Sequence, residues 1–134
     1  MQHVEGHDDY LRFNKTGEIS PAGLPVWQLG ETYRYCHTPD GCGLLVTVPA
    51  GFRTDFSSVP PIFHWFLQPA GKAARAGLVH DFLYSRAANC PRRLADAVFL
   101  DLLEHYNVPW FTRQVAWLAV RWLGGRRYQS EAQP

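Results

Sequence analysis

The sequence lacks a long apolar run and has almost no net charge. A transmembrane helix needs about 18 or more consecutive apolar residues, and no uninterrupted run of that length occurs. The formal net charge is +1 over 134 residues, which gives no overall electrostatic reason to bind nucleic acid or an acidic surface. We therefore expect no membrane span and no nucleic-acid partner.

Cysteine is scarce, and its spacing excludes the common disulfide and zinc frameworks. The three cysteines are Cys36, Cys42 and Cys90, an odd number with no C-x-x-C pair. This pattern favours isolated, reduced thiols, as in a cytosolic protein. The first ten residues, MQHVEGHDDY, also lack the basic and apolar regions of a signal peptide. We expect synthesis in a bacterial-type cytosol.

The size of the chain suits one domain with a modest core. Aromatic residues make up 14% of the sequence, and large rings are an efficient way to fill a small core. We expect a single domain over residues 1–134, with an ordered core from about residue 10 to about residue 125 and a polar C-terminal tail.

The first half of the chain carries short strand-like segments separated by glycine and proline. Residues 26–30 and 32–37 are typical of strands, and residues 44–56 continue as a strand with a Pro-Ala-Gly break. The intervening TPDGCG, residues 38–43, is typical of a turn. Two strands around an Asp-Gly loop predict an antiparallel hairpin.

The second half has helical periodicity. Residues 57–69 predict a short helix that follows a serine cap and proline, and residues 71–85, 89–108 and 109–125 predict longer helices. Gly124 and Gly125 should stop the last one. Because strands come first and helices follow, we predict an α+β fold, a small antiparallel sheet followed by three or four helices, rather than βαβ units.

Polar residues occur in this half where apolar ones are expected. His80 and Asp81 interrupt the apolar stretch GLVHDFLYS, residues 77–85. On a helical wheel at about 100° per residue, Asp96 falls inside the apolar arc of its helix, between Leu100 and Leu103. An unpaired carboxylate there would cost several kcal/mol. Asp96 should therefore be paired, protonated or bound to a metal ion.

Asp55 is a further candidate, just after a predicted strand. It precedes Ser57 and Ser58. Its carboxylate could accept hydrogen bonds from the backbone amides of these two residues in an Asx turn or helix cap. It could equally join the polar residues on the helices.

One hypothesis for these residues is a metal centre. His80, Asp81 and Asp96 would be ligands of Zn²⁺ or Mn²⁺, and Asp55 would be a fourth ligand or general base. Asp55, His80 and Asp81 would then be the catalytic residues, since a metal ion lowers the pKa of bound water and permits hydrolysis. No H-E-x-x-H or paired C-x-x-C pattern supports this assignment.

A second hypothesis is a buried hydrogen-bond network. Asp81 or Asp96 would hold His80, and Tyr84 with Arg92 or Arg93 would complete the bonds. The network would fix the packing of two helices against the sheet.

Other patterns in the sequence are less specific. A His–Asp dyad could activate Ser57 or Ser58, but no G-x-S-x-G elbow presents either serine. His64 is expected at the edge of the core. A basic and aromatic stripe on the last helix can bind nucleic acid, although packing with snorkelling arginines explains it equally well; it consists of Arg113, Trp117 and Arg121.

Three motifs occur in order along the chain: VPAGFRTDFSSVP, AGLVHDFLYS and RRLADAVFLDLL. Together they resemble DUF1353, a family of small proteins of unknown function from tailed bacteriophages and prophages, over about residues 26–123. The family's repeated polar positions correspond here to Thr54, Asp55, Ser58, His80, Asp81, Tyr84, Arg93 and Asp96.

The resemblance implies a phage or prophage gene product, present in the cytoplasm of the bacterial host or incorporated in the virion. Two hypotheses for its role follow. It is either a metal-dependent hydrolase of cell-wall peptide, glycan or phosphoester, or a non-enzymatic tail or neck component that contacts other virion proteins. In the second case the polar cluster is structural and function lies on an exposed apolar surface.

Overall fold

The computed structural model describes residues 12–37, 44–66 and 73–129. Strands occupy the first half of the chain and helices the second, which confirms the α+β prediction. The elements are β1 Phe13–Ile19, β2 Pro25–Leu29, β3 Tyr33–His37, β4 Leu44–Val48, β5 Arg53–Thr54, a 3₁₀ helix Pro61–Phe66, α1 Ala74–Tyr84, α2 Arg92–His105, α3 Trp110–Leu123 and a final 3₁₀ turn Gly124–Arg126.

The strands form two small antiparallel sheets, β1-β2-β5 and β3-β4. In the second sheet, Tyr33 lies opposite Val48 and Tyr35 opposite Val46, and these four side chains are buried. The alternation of buried and exposed residues fixes the register. The predicted hairpin is confirmed, although its loop at 38–43 lies outside the described residues.

The sequence did not predict β1. This strand pairs with β2, and none of its residues is fully buried. Gly17, at a φ of 80°, lies where the register shifts between Lys15 and Ile19. An edge strand without a buried face carries no clear hydrophobic alternation, which explains the omission.

The three long helices lie where the sequence predicted them. The predicted short helix is a 3₁₀ helix instead, Pro61–Phe66, and it begins at the second of two consecutive prolines, which have no amide donor. Ten of the eleven residues of α1 are buried, because α1 contacts α2, β4 and β5. A helix surrounded in this way has no solvent face on which to place polar residues.

The last helix, α3, packs against α2 on one side only. Ala116 and Val120 are its buried residues, and Gly124 ends it as predicted. No helix in residues 12–37, 44–66 and 73–129 has the length and apolar character to cross a bilayer.

Candidate functional site

The site begins in the turn that follows β5. Thr54 to Val59 form a continuous buried segment, in which Phe56 adopts a φ of 60°. Asp55 Oδ1 accepts the Ser57 amide at 2.9 Å, as the predicted Asx turn requires. The Ser58 amide instead donates to Asp81 Oδ1, at 3.1 Å. The turn is thus tied directly to α1.

Asp81 is the acceptor that holds this turn. In addition to the Ser58 amide, it accepts the Thr54 hydroxyl on Oδ2 at 2.7 Å. Burial raises the pKa of Asp81, the hydrogen bonds from Ser58 and Thr54 partly offset the rise, and the nearby charge of Asp55 adds to it. The desolvated carboxylate of Asp81 is therefore more easily protonated than an exposed one.

His80, the residue before Asp81 in α1, is fully buried. Its Nε2 is 2.7 Å from Asp96 Oδ1, and its Nδ1 is 2.9 Å from Ser58 Oγ. Since a carboxylate only accepts, Nε2 donates to Asp96, whereas the hydroxyl of Ser58 can either donate to Nδ1 or accept from it. The ring lies between Tyr84 and Phe99, with centroids 4.2 Å and 4.7 Å away.

Asp96 is the centre of the network. Tyr84 OH donates to Oδ1 at 2.7 Å, and Arg121 Nη1 donates to Oδ2 at 2.7 Å. Burial alone would raise the pKa of Asp96, but the hydrogen bonds from His80 and Tyr84, the charge of His80 and the bond from Arg121 hold it below its ordinary value. Asp96 is thus a buried carboxylate whose charge the Arg121 guanidinium balances.

Arg92 extends the network to the end of α3. Its Nε donates to Tyr84 OH at 3.2 Å, and its Nη2 donates to the carbonyls of Val120, at 3.0 Å, and Arg121. Those carbonyls belong to the last turn of α3, and that of Val120 also accepts the Gly124 amide. Gly124 also approaches closely, since a Cβ there would lie 2.6 Å from Tyr84 OH.

The structure brings most of the predicted residues together. Those in the network or in its turn are Thr54, Asp55, Ser58, His80, Asp81, Tyr84 and Asp96. Arg93 is exposed and makes no contact with them in the described residues, whereas Arg92 does. The contact from Arg121 was not predicted, although a buried carboxylate is a reason to look for a cation on a neighbouring helix.

The predicted metal ligands do not converge as they stand. Among the described residues, no group of three or more His, Cys, Asp or Glu is placed to hold a metal ion. Both nitrogens of His80 have partners, and Asp81 and Asp96 accept bonds from different donors.

The remaining candidates have structural contacts. His64 is half-buried, and its Nε2 lies 2.8 Å and 2.7 Å from the carbonyls of Phe56 and Val59, as expected for a core-edge histidine. Cys90 is a free, buried thiol, and burial raises its pKa. The side chains of Cys36 and Cys42 lie outside the described residues.

A surface pocket of about 200 Å³ lies beside the network, lined by Ser57, Ser58, Pro60, Pro61, Leu123, Arg126 and Arg127. Ser58 therefore faces both the pocket and His80. Ser57 Oγ and Asp55 Oδ2 are buried and have no hydrogen-bond partner within residues 12–37, 44–66 and 73–129. The order Ser58, His80, Asp96 is that of a nucleophile, base and acid, although Ser58 is only 1% exposed.

Comparisons with known proteins give a family but no better-characterised relative. The search of curated proteins found no match, and the search of solved structures found none either. Residues 27–120 match the family model described as a protein of unknown function, DUF1353. This match covers more than half of the chain and contains all three motifs, and the chain therefore belongs to the DUF1353 family.

Proposed function

We propose that this protein is a non-enzymatic assembly component of a phage or prophage particle, such as a tail or neck protein. The polar cluster maintains its fold, and an exposed apolar surface makes its contacts. The observation that carries the structural part is the burial of Ser58, His80 and Asp96 to 1% exposure or less, each with hydrogen-bond partners inside the protein. The phage origin is proposed from the motif resemblance alone.

Burial argues against direct chemistry at these residues. A catalytic base or nucleophile must come within hydrogen-bond distance of its substrate. Both nitrogens of His80 already have protein partners, so a substrate could reach the imidazole only if the 54–59 turn moved away. Moving it would break the bonds from Thr54 and Ser58 to Asp81.

The same contacts explain a structural role well. The network joins the 54–59 turn, α1, α2 and α3 through side chains whose partners lie far apart in sequence. An ordinary hydrogen bond contributes about 1 kcal/mol net, but a buried donor or acceptor left without its partner costs about 1–3 kcal/mol. The network therefore disfavours any packing of the helices that leaves one member unpaired.

A second candidate function is hydrolysis, favoured by the pocket at Ser58. In that case Ser58 Oγ would attack the carbonyl carbon or phosphorus of an ester, and its proton would pass to His80 Nδ1 and then to the departing alcohol, while Asp96 would stabilise the imidazolium. Water would then release the acyl or phosphoryl group from Ser58. The guanidinium groups of Arg126 and Arg127, which line the pocket, would favour an anionic substrate. The metal-dependent hydrolase predicted from the sequence belongs to the same class and is tested alongside.

The test combines labelling of serine with metal analysis. Wild type, Ser58→Ala and the matched control Ser57→Ala are treated with a fluorophosphonate probe and assayed against ester and phosphoester substrates. We expect neither labelling nor turnover for any of the three. Labelling of wild type and Ser57→Ala but not of Ser58→Ala would overturn the proposal in favour of hydrolysis.

Metal content is measured by mass spectrometry on protein purified without chelators. We expect no stoichiometric zinc or manganese in wild type or in Asp96→Asn. A stoichiometric metal in wild type that Asp96→Asn loses would instead favour the metal-dependent enzyme. The assembly role itself predicts that the protein co-purifies with particles, and its absence from particles that need its gene would contradict that role.

A further inference from the structure

The outer face of α3 carries a stripe of large apolar side chains. Phe111, Val115, Leu118 and Trp122 are all exposed, from 36% for Val115 to 82% for Trp122. Their spacing of four, three and four residues places them on one side of the helix, the arrangement by which one helix packs along another. Trp110 and Leu123, also exposed, extend the apolar surface at the two ends.

This face of α3 presents no charge. The charged residues of the helix are Arg113 and Arg121, and both point toward the protein. Arg113 Nη1 donates to the carbonyl of Val108 at 3.0 Å, and Arg121 donates to Asp96. A solvated helix ordinarily carries charged residues on its outer face, so the composition of this one suits an interface.

The exposed apolar area of α3 is at the upper end of what a monomer ordinarily leaves uncovered and below the area of a standard interface. Aromatic side chains cover about 150–250 Å² each, so Trp110, Phe111 and Trp122 alone expose roughly 400 Å² at their 62–82% exposure. With Val115, Leu118 and Leu123, the apolar total is roughly 600 Å². The largest apolar patch of a typical monomer is about 300–600 Å², and a standard interface takes about 800 Å² from each partner.

The apolar positions are also symmetric about the middle of the helix. Phe111 and Trp122 are equally distant from the midpoint between residues 116 and 117, and so are Val115 and Leu118. An antiparallel two-fold axis through that midpoint would place each member of a pair against the other member in a second copy. Such an isologous interface uses the same patch on both subunits.

From this symmetry we propose that α3 pairs with α3 of a second copy of this chain, antiparallel, as a two-fold dimer. Val115 and Leu118 lie at the centre, where smaller side chains allow the helix axes to approach to about 8–10 Å. The aromatic residues close the two ends. If a different protein bound this face of α3, the symmetric arrangement of apolar residues would not be required. In the dimer, no charges would repel each other across the two-fold axis. The evidence for the dimer is independent of the proposed assembly role. Only its biological purpose rests on that role.

The first test is the mass in solution. We expect sedimentation equilibrium over a wide concentration series to give twice the monomer mass of 15.3 kDa at the upper end. Leu118→Glu should raise the dimer dissociation constant by roughly a hundredfold or more, because it buries two unpaired carboxylates. The matched control is Ile62→Glu, which changes an exposed side chain on the 3₁₀ helix and should leave the dimer intact.

The second test distinguishes antiparallel from parallel pairing by disulfide trapping, with the three native cysteines replaced by alanine. The double variant Phe111→Cys with Trp122→Cys should form a covalent dimer under oxidation. Either substitution alone should not, because an antiparallel pair keeps identical end positions roughly 16 Å apart at 1.5 Å per residue, beyond the reach of a disulfide. Efficient trapping by the single variants would overturn the antiparallel geometry.

These results separate the dimer from the assembly role. A wild type that stays monomeric at every concentration overturns the dimer, even if the protein is found in particles and the assembly role stands. The dimer is also overturned if wild type is monomeric and binds another phage protein, and if Leu118→Glu abolishes that binding. The partner on this face of α3 would then be the other protein and not a second copy. Conversely, a dimer that reacts with fluorophosphonate at Ser58 would support the interface and refute the non-enzymatic role.

Discussion

Replacing Asp96 by asparagine tests most directly whether the cluster maintains the fold. The two side chains have nearly the same volume, so only the charge and one oxygen change. Both oxygens of Asp96 accept hydrogen bonds, one from His80 and Tyr84 and the other from Arg121. If the NH₂ group faces Arg121, it meets a donor; if it faces His80 and Tyr84, the imidazole must change tautomer and the Tyr84 hydroxyl must accept instead of donating. In both orientations Arg121 loses its counter-ion.

The expected cost follows from the type of pair. Removing one partner of a buried ion pair typically costs about 3–5 kcal/mol. Because the Arg121 side chain is 26% exposed, water can partly solvate the guanidinium, and we expect the lower end, about 3 kcal/mol. Domains of this size unfold with about 5–15 kcal/mol, and about 3 kcal/mol should lower Tm by roughly 10 °C. Urea and thermal unfolding followed by circular dichroism measure both quantities.

The matched control is Asp81→Asn, which changes another buried aspartate, in α1. Asn Oδ1 can still accept the Ser58 amide, and the Thr54 hydroxyl can accept from the new NH₂ group, because a hydroxyl both donates and accepts. The substitution also removes a carboxylate whose pKa burial has raised. We expect Asp81→Asn to change the free energy of unfolding by less than about 1 kcal/mol. Equal losses in the two variants would refute the reasoning.

The two variants should also respond to pH in opposite ways. The pKa of Asp96 is lowered in the folded protein, so the stability that its carboxylate contributes is present above the unfolded pKa and is lost as pH falls. The stability that Asp96→Asn lacks relative to wild type should therefore shrink in acid. The pKa of Asp81 is raised, so its protonated form favours folding below the unfolded pKa, and wild type loses that advantage as pH rises. Asp81→Asn should therefore gain stability relative to wild type on going from about pH 3 to about pH 7.

Two further substitutions probe the junction between Tyr84 and the end of α3. Gly124→Ala places a Cβ 2.6 Å from Tyr84 OH and should lower the free energy of unfolding by about 1–3 kcal/mol in thermal unfolding. The control is Gly125→Ala, whose Cβ would meet Arg92 at an ordinary 3.9 Å and which should change Tm little. Similar effects of the two substitutions would contradict the close packing at Gly124. Arg92→Lys cannot bond both Tyr84 OH and the Val120 carbonyl, so we expect the free energy of unfolding in urea to fall by about 1–2 kcal/mol. An unchanged urea midpoint would show that these bonds contribute no net stability.

Sequence patterns predicted the elements that bury an alternating or periodic face. The β3–β4 hairpin has buried Tyr33 and Tyr35 on either side of the exposed Arg34, which is the pattern that indicates a strand. The edge strand β1 has no such face and was missed. Helix positions followed from the periodicity of α2 and α3 and from the punctuating prolines and glycines, whereas the 3₁₀ geometry of Pro61–Phe66 depends on local hydrogen bonding that composition does not specify.

The candidate site was predictable within a helix but not between helices. A wheel places Asp96 in the buried arc because that depends only on its own helix. Arg92 and Arg93 precede Asp96 by four and three residues, and both spacings make neighbours on a helix, so spacing alone does not choose between them. The contact from Arg121 depends on how α3 packs against α2, and no spacing in the sequence specifies that arrangement.

The network and the proposed interface are coupled through Arg121. This residue lies beside the exposed stripe of α3, and its bond to Asp96 constrains how far α3 can rotate on α2. We therefore expect Asp96→Asn, at a temperature where it is fully folded, to dimerise more weakly than Asp81→Asn, whose substitution lies away from α3. Sedimentation equilibrium on both variants measures the difference. Equal dissociation constants would show that packing of Ala116 and Val120 alone orients the stripe, because these are the buried side chains of α3.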